Sequence, residues 1–202
     1  MLLENLKQLI QESETPIESG FKDQYYSFIA LYDSIIKLDE ILTFKRGKLE
    51  EVLKEAPDAI YYCLRFMNDY GIPINSEQFS FDQFRSEIKF YQKPGITDHK
   101  YYINPLFGVF GKLSTLLKKE IKQNNSLLIN EKTLIVNYLY NILSNILLLI
   151  DYLHLNIEMV LGSLTEKIKI QTSTKEKTGG KGKGKGKGKI VETDDDMPEI
   201  ID

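Results

Sequence analysis

With 202 residues, the chain is long enough for one ordinary domain or two small ones, since domains cluster near roughly 100 to 150 residues. A hydrophobic share of 42% and an aromatic share of 11% exclude a chain too polar to bury a core,. The net charge of −3 excludes a global pull toward nucleic acid or an anionic membrane, and a single cysteine excludes an internal disulfide or a cysteine-built zinc site,.

The opening stretch, Met1 to Ile10, sets Glu4 and Lys7 inside its apolar pattern and lacks the basic flank and unbroken apolar run of a secretion signal,. A cytoplasmic, reducing setting is the expectation. Past a break from Thr15-Pro16 to Gly20, Leu31, Ile35, Leu38 and Leu42 recur at helical spacing and predict one helix,. Beyond Gly47, the series Leu49, Val52, Leu53, Ile60, Leu64 and Met67 predicts a second, which stops at Gly71-Ile72-Pro73,. Pro57 lies inside this second helix and is expected to kink or restart it, because proline has no amide donor for the preceding turn,. Further breaks at Lys93-Pro94-Gly95 and Asn124-Asn125-Ser126 separate later helical stretches. One of them, Leu134 to Leu155, is apolar enough to raise the question of a membrane span. Asn137, Asn141 and Asn145, with Ser144 and Asp151 nearby, instead predict a buried bundle helix without membrane insertion,. Few runs alternate as strands do, so the expected fold class is all-α.

Self-similarity organises these elements. Lys48 to Ile74 lies over Glu131 to Ile157 without a gap, at a constant offset of 83 residues. Upstream, Tyr32 to Leu42 lies over Phe107 to Leu117 at an offset of 75, so the second unit carries a loop eight residues longer, in which Asn124, Asn125 and Ser126 fall,. The match rests on apolar pattern and punctuation more than on identities.

In the second unit, the stretches Phe81 to Lys89, Asn104 to Leu117, Asn137 to Val160 and Leu164 to Ile168 together resemble MazG-type nucleotide pyrophosphohydrolases. Phe81-Asp-Gln-Phe-Arg-Ser-Glu-Ile-Lys89 is similar to the opening helix of that family, and Asn104 to Leu117 resembles its second helix. Asn137 to Val160 resembles the third helix, a short turn and the start of the fourth, and Leu164-Thr-Glu-Lys-Ile168 resembles the closing segment. The resemblance covers about residues 79 to 172 and, more weakly, 21 to 78. It implies two MazG-like helical units, 1–78 and 79–174, packed as an internal four-helix-type bundle, followed by a disordered Lys/Gly then acidic tail, 175–202.

In that family a Glu-x-x-Glu pair on the second helix and a Glu-x-x-Asp pair on the third hold Mg²⁺ against a triphosphate. Residues three apart share a helical face, so two such pairs on facing helices make an oxygen cage for a hard cation, which activates water. In the second unit, Lys112 and Thr115 occupy the first pair of positions and Tyr138 and Asn141 the second, so the cage is degenerate there. In the first unit, Glu55 and Asp58 match Glu-x-x-Asp and Glu40 matches the second Glu, whereas Lys37 replaces the first. The resemblance thus implies that Glu40, Glu55 and Asp58 carry any metal binding or catalysis that remains, with Lys37 expected to pair with Glu40 or Asp58 in place of the metal. The same residues also fit an ordinary role, as first-turn acids favoured by the helix dipole and as a solvated face around Lys37, Glu40 and Lys45.

The implied activity is Mg²⁺-dependent hydrolysis of nucleoside triphosphates to monophosphate and pyrophosphate, lost or weak here. The alternative is a structural or interaction subunit that reuses the fold without nucleotide chemistry. Nucleotide, a second copy of the chain and protein partners are the candidate ligands. Among other signals, His99 and His154 lack a second ligand at metal spacing, and His154 falls where Gly71 stands in the first unit,. The pairs Tyr25-Tyr26, Tyr61-Tyr62 and Tyr101-Tyr102 suit packing first and base stacking second,. Residues 175–202 hold seven lysines and seven acids, segregated into alternating Lys181 to Lys189 and then Asp194-Asp-Asp196, Glu199 and Asp202. That tail is expected to contact phosphates or acidic surfaces, or to act as a solvated linker.

Overall fold

The computed structural model describes residues 2–13, 23–44, 48–73, 98–123 and 127–179. Among these the chain is all-α, with six helices and no strand: α1 (Leu2–Ser13), α2 (Asp23–Phe44), α3 (Leu49–Asp69), α4 (Lys100–Lys122), α5 (Ile129–Tyr152) and α6 (Ile157–Gly179). The expected breaks at 15–20, 93–95 and 124–126, the Phe81–Lys89 segment and the 78/79 boundary lie outside the described residues. The helix expected to give way to a tail at 175 runs on to Gly179, and 180–202 lies outside the described residues.

Helices α2 to α5 form an antiparallel four-helix bundle. Ser27 Oγ donates to Asp69 Oδ2 at 2.7 Å, joining the start of α2 to the end of α3. Phe28 and Tyr32 on α2 meet Phe110 and Phe107 on α4 edge-on, and Thr43 at the end of α2 lies 3.3 Å from His99 before α4. Lys119 pairs with Glu131 across the α4–α5 turn. One end of the bundle therefore gathers the start of α2, the end of α3 and the α4–α5 turn, where Tyr70 donates to the buried Glu120 carboxylate at 2.5 Å. Helices α1 and α6 pack on each other and on α3, which makes α3 the central helix.

The sequence of α3 explains that position. Val52, Ala56, Ala59, Ile60, Cys63 and Met67 are all within 1% of full burial, a wider apolar face than a surface helix needs,. Pro57 is buried inside it, and the helical assignment continues through Leu49–Asp69 without the expected restart; the proline lacks only one amide donor, and packing on four neighbouring helices offsets that loss,. Helix α5 is long and apolar enough to cross a bilayer by length and composition, and its Ile135, Leu139, Ile142 and Ile146 are buried in the bundle core.

Helices α3 and α5 end alike. Gly71 (φ 61) donates its N–H to Asn68 O at 2.8 Å and Ile72 to Met67 O at 2.8 Å. His154 (φ 56) donates to Asp151 O at 2.9 Å and Leu155 to Ile150 O at 3.1 Å. Both follow the two-bond helix stop in which a left-handed residue turns the chain out of the helix. Asn156 then caps α6, its Oδ1 accepting from Glu158 N at 2.8 Å,.

Candidate functional site

The register set by Ser27 with Asp69 places Lys37 and Glu40 on α2 level with Glu55 and Asp58 on α3. Their surroundings differ from the expected pairing. Lys37 Nζ bonds Asp33 Oδ2, one turn earlier on its own helix, at 2.7 Å. That bond and the Asp33 charge hold the Lys37 ammonium above its usual range, and the charges of Glu55 and Asp58 add to the effect. Asp58 pairs with Lys167 of α6. Lys37 thus bonds neither Glu40 nor Asp58: Asp33 stands one turn away at i,i+4 spacing, and Lys167 reaches Asp58 first. Glu55 is half-buried and Glu40 exposed, with no ion pair at either among the described residues.

The residues present do not fit a hard divalent cation as arranged. Asp58 is occupied by an ammonium, a second ammonium lies within electrostatic reach of Glu55 and Asp58, and Glu40 points to solvent. Among the described residues no group of three or more His, Cys, Asp or Glu is arranged to hold a metal ion.

In the second half, Lys112 and Thr115 on α4 stand level with Tyr138 and Asn141 on α5, given Lys119 against Glu131 and Tyr102 against Tyr152. Lys112 is exposed, and Thr115 turns its hydroxyl back to Gly111 O at 3.0 Å. Tyr138 is half-buried. Asn141 accepts from Asn145 Nδ2 at its backbone oxygen (2.8 Å) and at Oδ1 (3.1 Å). Asn141 and Asn145 line an open groove of about 1000 Å³ between α4 and α5, together with Asn104, Ser144 and Tyr101. A much smaller hollow of about 70 Å³ lies beside Asp58 and Lys167, walled by Tyr61 and Tyr62.

The tyrosine pairs serve mainly as packing. Tyr26 meets Tyr62 edge-on at 6.2 Å beneath the Arg65 guanidinium, and Tyr102 lies against Tyr152 at 5.1 Å,. Burial pushes the Tyr62, Tyr70 and Tyr102 hydroxyls above the usual phenol range. Tyr101, 49% exposed, packs edge-on against Tyr102 and also lines the groove. Cys63 is fully buried, donates to Leu139 O at 3.7 Å, and is pushed well up by burial, as an unreactive core thiol is,.

Two participants enter only with the structure. Lys167 is 109 residues from Asp58, and nothing in the local pattern links them. His99 sits between Asp98 (3.4 Å) and Asp39 (3.8 Å), a cluster assembled from α2 and the residues just before α4, 56 or more positions away in the sequence. Asp33, by contrast, was open to detection as an i,i+4 partner of Lys37.

The class defined by this architecture is an all-α helical bundle with a charged seam between α2, α3 and α6. No family model, curated protein or solved structure matches the chain.

Proposed function

We propose that the chain is a non-catalytic helical module on a MazG-like plan, in which lysine ammonium groups take up the carboxylate charge that a divalent cation holds in an active enzyme. The observation that carries this reading is the Asp58–Lys167 pair beside Lys37. An anionic oxygen cage is what Mg²⁺ requires, and two cations in the seam oppose a third charge of the same sign.

Two further observations support the tandem reading. The stops of α3 and α5 use the same pair of bonds at residues 83 apart. Tyr32 and Phe107, 75 residues apart, meet each other edge-on at 6.3 Å, as equivalent residues do where a two-fold axis passes between two units,.

Pyrophosphate release from a panel of nucleoside triphosphates with Mg²⁺ or Mn²⁺ tests the reading. No turnover is expected from wild type or from Glu55→Gln. Turnover that Glu55→Gln abolishes would overturn it in favour of a working pyrophosphohydrolase. Lys37→Glu is the complement: restoring a fourth carboxylate should produce a metal-dependent rise in melting temperature that wild type lacks, and indifference to metal would count against the MazG-like register.

A further inference from the structure

The α4–α5 turn combines two features that rarely meet on an exposed surface. Ile121, Leu128 and Ile129 are 55%, 61% and 87% exposed. Lys118, Lys122 and Lys132 are also exposed around them, and none forms an ion pair among the described residues. The two carboxylates in this stretch are both engaged elsewhere, Glu120 with Tyr70 and Glu131 with Lys119 and the Leu128 amide. The tip is therefore apolar and cationic, with no free anion of its own.

The complementary chemistry exists in the same chain. Residues 190 to 202 read Ile-Val-Glu-Thr-Asp-Asp-Asp-Met-Pro-Glu-Ile-Ile-Asp, with six side-chain carboxylates, four aliphatic side chains, one methionine and no cationic side chain. We propose that this acidic, apolar segment docks on the α4–α5 tip of its own chain, its carboxylates on Lys118, Lys122 and Lys132 and its aliphatic residues on Ile121, Leu128 and Ile129.

Geometry brings the two together. Four residues separate the end of α5 from the start of α6, at the end of the bundle opposite the tip. By Leu164, Lys167 and Ile168 it has reached Asp58, Tyr61 and Tyr62 of α3, so it runs parallel to α3 and toward the tip. From Ile168 to Gly179 the helix rises about 16 Å, which carries it level with the α3 stop and the α4–α5 turn,. The turn then lies about 20 Å to the side, two interhelical spacings away. Residues 180 to 189 alternate Gly and Lys, and a Gly-rich chain of that length spans roughly 15–20 Å root-mean-square. A linker matched to its span gives an effective concentration in the millimolar range, which favours the chain's own segment over one from another copy or over an anionic lipid surface.

The full chain carrying a nitroxide at Met197→Cys tests this, since Cys63 is fully buried and stays unlabelled. Amide signals of residues 118 to 132 should be selectively lost and should return when the nitroxide is reduced. The loss should disappear in Lys118→Glu/Lys122→Glu/Lys132→Glu, in about 1 M salt, where screening reaches roughly 3 Å, and in Asp194→Asn/Asp195→Asn/Asp196→Asn. That last variant alters no residue of the bundle, so its result does not depend on the charge-reversed protein folding. The proposal falls if the tip keeps its signals, if other residues lose theirs instead, or if the loss survives the tail neutralisation. It falls equally if loss arises only between labelled and unlabelled chains in a mixed sample, or only on adding phosphatidylserine vesicles; these outcomes would assign the tip to a second copy and to lipid.

Discussion

Glycine and histidine stand at equivalent left-handed stops, and exchanging their chemistry should move stability in opposite directions. His154 has φ 56 and an exposed side chain, so its Cβ bears the strain of the left-handed region, roughly 1–2 kcal/mol,. His154→Gly removes that strain but loosens the unfolded chain by roughly 0.5–1 kcal/mol, for a net stabilisation of about 0.5–1 kcal/mol. Gly71 has φ 61, and a Cβ placed there would meet no atom within 4 Å, so Gly71→Ala adds the strain without a clash. It should destabilise by about 0.5–1 kcal/mol. Urea unfolding reads both, as shifts of midpoint in opposite directions at unchanged slope, because neither change alters the surface exposed on unfolding. If both substitutions destabilise, the His154 side chain contributes a stabilising contact larger than its backbone strain, and the two stops are alike in bonding but not in energetics.

Two other perturbations act on the bundle end that holds the tip. Tyr70→Phe leaves the Glu120 carboxylate buried without its donor and should cost about 1–3 kcal/mol in chemical denaturation; adding Glu120→Gln should recover part of the loss, since a neutral amide is cheaper to bury than a carboxylate,. Glu131 is held below the usual carboxylate range by the Lys119 ammonium first and the Leu128 amide second. A depressed folded value means stability present above the ordinary Glu range and lost as pH falls through the folded value, so Glu131→Gln should be less stable than wild type near neutrality and converge with it in acid, as melting temperatures across pH will show.

The helices were legible because burial in a bundle imposes its period on the chain. Leu31, Ile35, Leu38 and Leu42 recur at three and four residues because one face of α2 meets α3, and all four are buried,. The polar asparagines that argued for a bundle helix in α5 do stand toward its open side, where Asn137 and Asn141 are exposed. Pro57 does not restart the helix, because tertiary packing offsets what the local chemistry weakens. The charged seam was only half legible. Lys37, Glu40, Glu55 and Asp58 are singled out by the motif resemblance, but which cation meets which anion depends on how α6 lies along α3, where Leu164, Lys167, Asp58, Tyr61 and Tyr62 line one hollow.

The seam's charge count bears on the proposal that lysine ammonium groups stand where a divalent cation would. Glu40, Glu55 and Asp58, with the Asp33 that bonds Lys37, supply four negative charges, and Lys37 with Lys167 supplies two positive ones within or beside the same cluster. A divalent cation entering there would cancel the negative charge that remains, and its first cost would be breaking the Asp58–Lys167 pair, which is partly exposed and worth about 1 kcal/mol or less,. That cost alone is small. The larger obstacle on the proposed MazG-like plan is Lys37, which would stand at the position of a missing ligand and repel the ion that the ligand would have held, so one substitution would change both the donor count and the local charge. Lys167→Ala should therefore leave metal binding undetectable, whereas Lys37→Glu should create it. If calorimetry with Mn²⁺ finds the reverse, the Asp58–Lys167 pair rather than Lys37 closes the site, and α6 becomes the element that guards it.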